Sequence, residues 1–211
     1  MMLAGCGGSA AETAADTETA APETTETSET ASAASAAPAE SQDMGYRSTW
    51  DGTTCTSYWN NLTFALPEGW IQLTDDQIAQ LTGSAADPSQ GVYSDFYIQN
   101  EPGTATFSSQ IVDLDAMGTP EMTLEEYLAN ARKTMEAMTD VTAVCNDPVD
   151  ATLGNLQGKA MGISLKDSSG QTLVIETMFV TKNDNVIVTY VSAAKDQDAA
   201  AALQEFMGTL S

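Results

Sequence analysis

The chain has 211 residues, of which 30 are acidic and 7 are basic, so its formal net charge is −23, and it contains no histidine. This charge argues against nucleic-acid binding, which needs a basic surface, and against a peripheral hold on anionic lipid. Without histidine the chain lacks the usual general base, the commonest zinc ligand and every Ser-His or Cys-His pair. The sequence therefore predicts a protein that is not an enzyme and uses neither a metal nor a cofactor.

The first six residues end in Leu3-Ala4-Gly5-Cys6, a leucine and two small residues directly before a cysteine. This pattern resembles the lipobox of bacterial lipoproteins, a family in which diacylglycerol is attached to the cysteine thiol and a signal peptidase cuts in front of it. The resemblance implies that residues 1–6 are the remainder of a signal peptide and that Cys6 is lipidated. It also implies an extracytoplasmic protein, anchored by its lipid to the outer face of the cell membrane.

A low-complexity segment follows the cysteine. Residues 7–45 are mostly Ala, Thr, Ser, Glu and Pro, and they contain no aromatic residue, no Lys and no Arg. Such a composition cannot bury enough apolar surface to offset the entropy of ordering the chain. The segment is predicted to be a disordered, acidic linker, which its like charges keep extended.

The remaining residues, 46–211, are enough for one ordinary domain with a core. Four aromatic residues crowd its start: Tyr46, Trp50, Tyr58 and Trp59. In one interpretation these rings cover the end of the core, because aromatic side chains bury large areas. In the other, some stay exposed and anchor a partner protein or a sugar, with Trp50, Tyr46 and Trp59 as the candidate binding residues.

Alternating apolar residues from Leu62 to Leu66 predict a strand with one buried face. Thr74 and Gln77 have the spacing of a capping box and predict a short helix that ends at Gly83. Two strands are predicted next, around Val92–Gln99 and Thr104–Leu114.

A second capping box, Thr123-Leu124-Glu125-Glu126, predicts the start of the longest helix. Its apolar stripe is formed by Leu124, Tyr127, Leu128, Ala131, Met135 and Met138. Methionines at this spacing usually fill a core, which favours packing over a metal site. Four further strands and a last helix are predicted, around Val141–Asn146, Leu156–Leu165, Thr172–Thr181, Val186–Ser192 and Ala199–Leu210.

This order of elements predicts an α+β domain in which helices cover an antiparallel sheet. Thr49-Trp50-Asp51-Gly52 leads into Phe64-Ala65-Leu66-Pro67-Glu68-Gly69-Trp70. With the lipobox and linker, these segments resemble small surface lipoproteins of anaerobic Gram-positive bacteria and the PsbP-like fold. The resemblance implies an α/β/α sandwich that binds other macromolecules, and it supplies no catalytic residues.

Two smaller patterns, a calcium-loop-like spacing and a pair of cysteines, have structural interpretations. Asp113, Asp115 and Gly118 match the start of an EF-hand calcium loop, but Met117 and Leu124 stand where oxygen ligands belong, which favours a plain loop. Cys55 and Cys145 either form a disulfide, as an even count in an exported protein suggests, or remain two independent thiols.

The sequence as a whole predicts a lipid-anchored extracytoplasmic domain that binds a protein or cell-wall partner without catalysis. The alternative is a small-ligand-binding or cation-binding lipoprotein associated with a transporter.

Overall fold

The structure is a computed structural model that describes residues 46–57, 59–83 and 87–211. Cys6 and the predicted linker of residues 7–45 lie outside the described residues, as does Tyr58.

Among the described residues, the aromatic-rich start of the domain forms a small antiparallel sheet. Its strands follow one another in space in chain order: β1 (Thr49–Asp51), β2 (Thr54–Ser57) and β3 (Leu62–Ala65). The β1–β2 hairpin turns at Gly52, whose φ of 60° is in the left-handed region that glycine adopts without steric cost. The alternation predicted for β3 is confirmed, since Leu62 and Phe64 are buried and the residues after them are less so.

The first helix, α1 (Asp75–Thr82), begins and ends where the capping signals predicted. Thr74 and Gln77 make both hydrogen bonds of the capping box, and Gly83 closes the helix in the left-handed conformation. A short strand before it, β4 (Trp70–Gln72), was not predicted, because three residues are too few to show a period.

The longest helix, α2 (Leu124–Glu136), also begins at its predicted capping box, formed by Thr123 and Glu126. Leu128 is fully buried on its inner face. The helix stops before Met138, which is 52% exposed, so the prediction that Met138 belongs to the buried stripe is wrong.

Seven more strands complete the large sheet: β5 (Val92–Asn100), β6 (Ala105–Asp113), β7 (Thr142–Cys145), β8 (Val149–Leu153), β9 (Leu156–Lys166), β10 (Thr172–Asn183) and β11 (Val186–Ala194). Within the described part of the chain the strand order is β4-β5-β6-β11-β10-β9-β7, with β8 also paired to β9, and all neighbours are antiparallel. The sequence did not predict β8, although Gly154-Asn155 between two leucines is a two-residue hairpin signal.

The sheet separates two cores. On one side, the α3 face, it packs against β3 and the last helix, α3 (Gln197–Met207), through rings such as Phe64, Phe107 and Phe206. On the other side, the α2 face, it packs against α2 through Leu128. The predicted α+β class, with helices on both sides of an antiparallel sheet, is confirmed.

Both cysteines are free thiols. Cys55 belongs to the core of the α3 face, whereas Cys145 packs against the core of the α2 face. The sheet lies between the two cores, so the disulfide alternative is wrong and the alternative of two independent thiols is confirmed.

Candidate binding surfaces

The three predicted binding residues, Tyr46, Trp50 and Trp59, all pack against the core of the α3 face, and we call them together the aromatic lid. The rings of Tyr46 and Trp59 are 4.6 Å apart between centroids and tilted by 54°. Trp50 meets Phe64 edge-on at 5.7 Å. All three lid residues are half-buried against the core of the α3 face, so they cover the core and also keep part of their surface accessible.

Arg47 and Ser48, which directly follow Tyr46, fasten the chain to α1 and to the large sheet, in what we call the N-terminal clasp. Arg47 donates two hydrogen bonds to the carboxylate of Asp75, at 2.7 and 2.9 Å, and one to the backbone carbonyl of Asp95 at 2.8 Å. Ser48 donates its N–H and its hydroxyl to the Asp95 carboxylate, at 2.6 and 2.7 Å. Residues 47 and 48 are thereby held to both α1 and β5.

Burial dominates the electrostatics under the clasp. Asp95 is only 3% exposed, and this desolvation raises the pKa of its carboxyl group above the usual value, although the bonds from Ser48 oppose the shift. Burial, together with the nearby charge of Asp95, raises the pKa of the Cys55 thiol to about 12. The Cys55 thiol is therefore protonated and poorly nucleophilic at neutral pH.

The α2 face is open where the helix does not reach. A groove of about 440 Å³ lies there, and half-buried polar side chains supply much of its lining: Tyr97, Gln99, Thr106, Ser108 and Glu176. Burial raises the pKa of the Glu176 carboxyl group, which makes no hydrogen bond or ion pair with another described residue.

An apolar patch formed by Val144, Leu173 and Ile175 is exposed at the same end of the sheet. Their exposed fractions are 45%, 43% and 57%. Val144 and Ile175 are both register partners of Ser164, so they flank it on neighbouring strands of the α3 face. Leu173 lies two residues before Ile175, where the register of β10 with β9 shifts. The first half of β10 therefore borders the groove on the α2 face and carries Ile175 of the apolar patch on the α3 face.

The described side chains form no cluster of the kind that holds a metal ion. No group of three or more Cys, Asp or Glu residues able to hold a metal occurs among them. In the EF-hand-like loop, Asp113 accepts backbone N–H groups of its own turn and Asp115 accepts two bonds from the Asn185 amide, both at 3.1 Å. No helix in the described ranges is long and apolar enough to cross a membrane.

No protein-family model and no curated protein matches the sequence. The fold is similar to the solution structure of cyanobacterial PsbP (CyanoP) from Synechocystis sp. PCC 6803, with a TM-score of 0.47, 13% identity and coverage of 74% of this chain and 89% of that chain. It is also similar to LpqN, which is involved in cell envelope biogenesis of Mycobacterium tuberculosis, with a TM-score of 0.34, 16% identity and coverage of 71% and 79%. Both scores are below 0.5, so the fold is defined by this chain's own strand order and layers.

Proposed function

We propose that residues 46–211 form a binding domain without catalytic activity, which a lipid on Cys6 holds at the outer face of the cell membrane and which binds a protein or cell-wall component. The lipobox-like Leu3-Ala4-Gly5-Cys6 and the acidic composition of residues 7–45 support the anchor. The absence of histidine from the sequence supports a role in binding.

The observation that carries the binding role is the uncovered end of the large sheet. Each face of a strand within a domain is normally covered by a core or faces water with polar side chains. In β10, Leu173 and Ile175 are instead apolar side chains that are 43% and 57% exposed. Contiguous exposed apolar surface of this kind marks interaction sites in soluble proteins.

The shape of this surface favours a macromolecular partner. Val144, Ser164 and Ile175 lie side by side on three neighbouring strands, so the apolar patch is a sheet surface and not an enclosed cavity. A small ligand needs a concave site that buries most of its own surface, whereas a protein or a polymer can lie across a sheet.

The aromatic lid is the second surface that we propose for the partner. Tyr46, Trp50 and Trp59 are each only half-buried, and Tyr46 is the first aromatic residue after the acidic segment. Because Trp50 also packs against Phe64 and Phe96, its removal would lower stability and is not a clean test of binding. Tyr46, at the start of the described chain, is a better position for a probe.

Site-specific photo-crosslinking on intact cells tests both surfaces. The photoreactive residue p-benzoylphenylalanine replaces Ile175 in one variant, Tyr46 in a second and Asn183 in a control. Asn183 is an exposed residue of the same strand, about 26 Å along it from Ile175. We expect a discrete crosslinked product from position 175 that mass spectrometry identifies, and none from position 183.

A product from position 46 alone would move the partner to the aromatic lid and contradict the assignment to the sheet. Equal products from positions 175 and 183 would show nonspecific collision. No product from either position 46 or position 175 would mean that this domain does not have the proposed partner.

A further inference from the structure

A second concave site lies on the α2 face, away from the apolar patch. This site, which we call the methionine groove, has a volume of about 360 Å³ and lies between α2, the first residues of β5, and the loop that precedes α2. Its lining includes Met117, Met122, Met135, Tyr127, Val92 and Ala131, and no charged side chain contributes to it. Charge is thus absent from this groove, although residues 46–211 contain 22 acidic side chains.

The loop wall of the groove is fixed by hydrogen bonds. The ammonium group of Lys182 donates to the backbone carbonyls of Pro120 and Met122, at 3.3 and 2.9 Å. Asn185 holds the carboxylate of Asp115 on the same loop. The groove is therefore formed in the protein itself and does not require a ligand to build it.

Met117 lies in the wall of the methionine groove, where it comes close to the backbone of Gly91. Gly91 has a φ of 72°, and a Cβ atom there would lie 3.0 Å from the Met117 side chain and 3.3 Å from its backbone nitrogen. Only glycine allows both this φ and this contact without strain. Met117 remains 45% exposed, so part of its side chain is available at the groove.

Polar groups in the groove are few. The Tyr127 hydroxyl is already paired with Thr189 at 2.9 Å, and Thr134 bonds to the backbone of Asn130. The side-chain amide of Asn130 makes no hydrogen bond to another described residue and is left to orient a ligand. An apolar pocket with a few polar groups is the usual form of a small-molecule site, and methionine side chains adapt their shape and contact aromatic rings through sulfur.

We propose that the methionine groove binds an uncharged, mainly apolar small molecule. The groove volume of about 360 Å³ has room for roughly a dozen non-hydrogen atoms, at about 30 Å³ for each water-sized unit. A charged ligand is disfavoured, because the lining offers it no counter-charge and burial would remove its hydration. The acidic segment of residues 7–45 contains no aromatic residue that could fill the groove.

Two probes with the same ring skeleton test this chemistry. N-phenyl-1-naphthylamine is neutral and fluoresces in apolar surroundings, and 8-anilino-1-naphthalenesulfonate adds a sulfonate to the same rings. We expect saturable binding of the neutral probe to the full chain, and binding of the sulfonate that is at least about tenfold weaker. Absence of saturable binding by the neutral probe, or equal affinity for both, would overturn the proposal.

A filling variant locates the site. Ala131→Phe places a ring in the groove, whereas Ala137→Phe adds the same ring at the exposed end of α2 as a matched control. We expect affinity for the neutral probe to fall about tenfold or more in the first variant and to stay unchanged in the second. Equal affinities in the two variants would place the probe elsewhere and refute the assignment.

Oxidation of the wild-type protein by peroxide gives a measurement that does not depend on how the variants fold. Met117 lines the groove, whereas Met138 is similarly exposed, at 52%, and does not line it. Saturating neutral probe should slow formation of the sulfoxide at Met117 severalfold and leave the rate at Met138 unchanged. Equal rates with and without probe at Met117 would contradict the proposal.

The crosslinking test of the macromolecular partner is unaffected by either result, because the apolar patch is on the opposite face.

Discussion

At the scale of single residues, Asp95 is a carboxylic acid held almost wholly out of water, at 3% exposed. Its carboxylate is buried beneath the clasp and accepts two hydrogen bonds from Ser48, while Arg47 donates only to its backbone carbonyl. The guanidinium of Arg47 is paired instead with Asp75 and lowers the pKa of that carboxyl group. The charge on Asp95 is therefore stabilised by hydrogen-bond donors and not by a direct ion pair. These bonds offset only part of the free-energy cost of removing the carboxylate from water.

This arrangement predicts how stability depends on pH. Because the pKa of Asp95 is raised in the folded state, the folded protein binds a proton more readily than the unfolded chain. The unfolding free energy contributed by this group grows as pH falls through the raised pKa and levels off below the ordinary value of 3.8.

We expect wild type to become more stable relative to Asp95→Asn, in unfolding free energy, when the pH is lowered from neutral to about 4.5. Urea denaturation of both proteins at the two pH values measures it. The other carboxyl groups are common to both proteins and cancel, and Arg47, Cys55 and Tyr93 do not titrate in this range. A difference that is constant, or that shifts toward the variant, would contradict the raised pKa.

At the scale of elements, α2 is the only helix of the described structure whose side chains pack in the core of the α2 face. Leu128 is its most buried residue and packs in a cluster with Met161, Met178 and Ile187. The remaining apolar residues of the stripe, such as Tyr127 and Met135, are half-buried, since they also line the methionine groove. Packing of α2 thus depends strongly on one side chain.

Leu128→Ala is expected to lower the unfolding free energy by about 2–5 kcal/mol, the usual cost of removing a buried aliphatic side chain and leaving a cavity. Leu81→Ala is the matched control, because Leu81 is on α1 and is 57% exposed. Chemical denaturation of the two variants should show a loss within about 0.5 kcal/mol for the control. A loss of that small size for Leu128→Ala would mean that α2 does not pack as described.

Local signals account for the elements that the sequence predicted. Both capping boxes join residues three apart, so Thr74 with Gln77 and Thr123 with Glu126 are visible in the sequence itself. The clasp is not visible there, because its contacts join residues 28 and 47 positions apart. The run Leu173-Val174-Ile175 predicted a strand correctly, but whether a helix covers that strand depends on where the chain places α2 and α3.

At the scale of the whole molecule, the predicted anchor stays a prediction that membrane partitioning can test. We expect that a precursor supplied with a complete signal peptide fractionates with membranes, and that Cys6→Ala releases it or blocks its processing. Cys145→Ala is the control, because that cysteine lies inside the folded domain. Equal membrane partitioning of wild type and Cys6→Ala would contradict lipidation at Cys6.

The N-terminal clasp determines how the domain bears mechanical load. A pull on the chain ahead of Tyr46 reaches Arg47 and Ser48 before it reaches β1. These residues are bonded to Asp75 on α1 and Asp95 on β5, so tension passes into the large sheet and bypasses β1. Without these bonds, the three residue pairs that join β1 to β2 would open one after another. Five hydrogen bonds must break before the hairpin is strained, so a domain pulled from this end is protected from unravelling strand by strand.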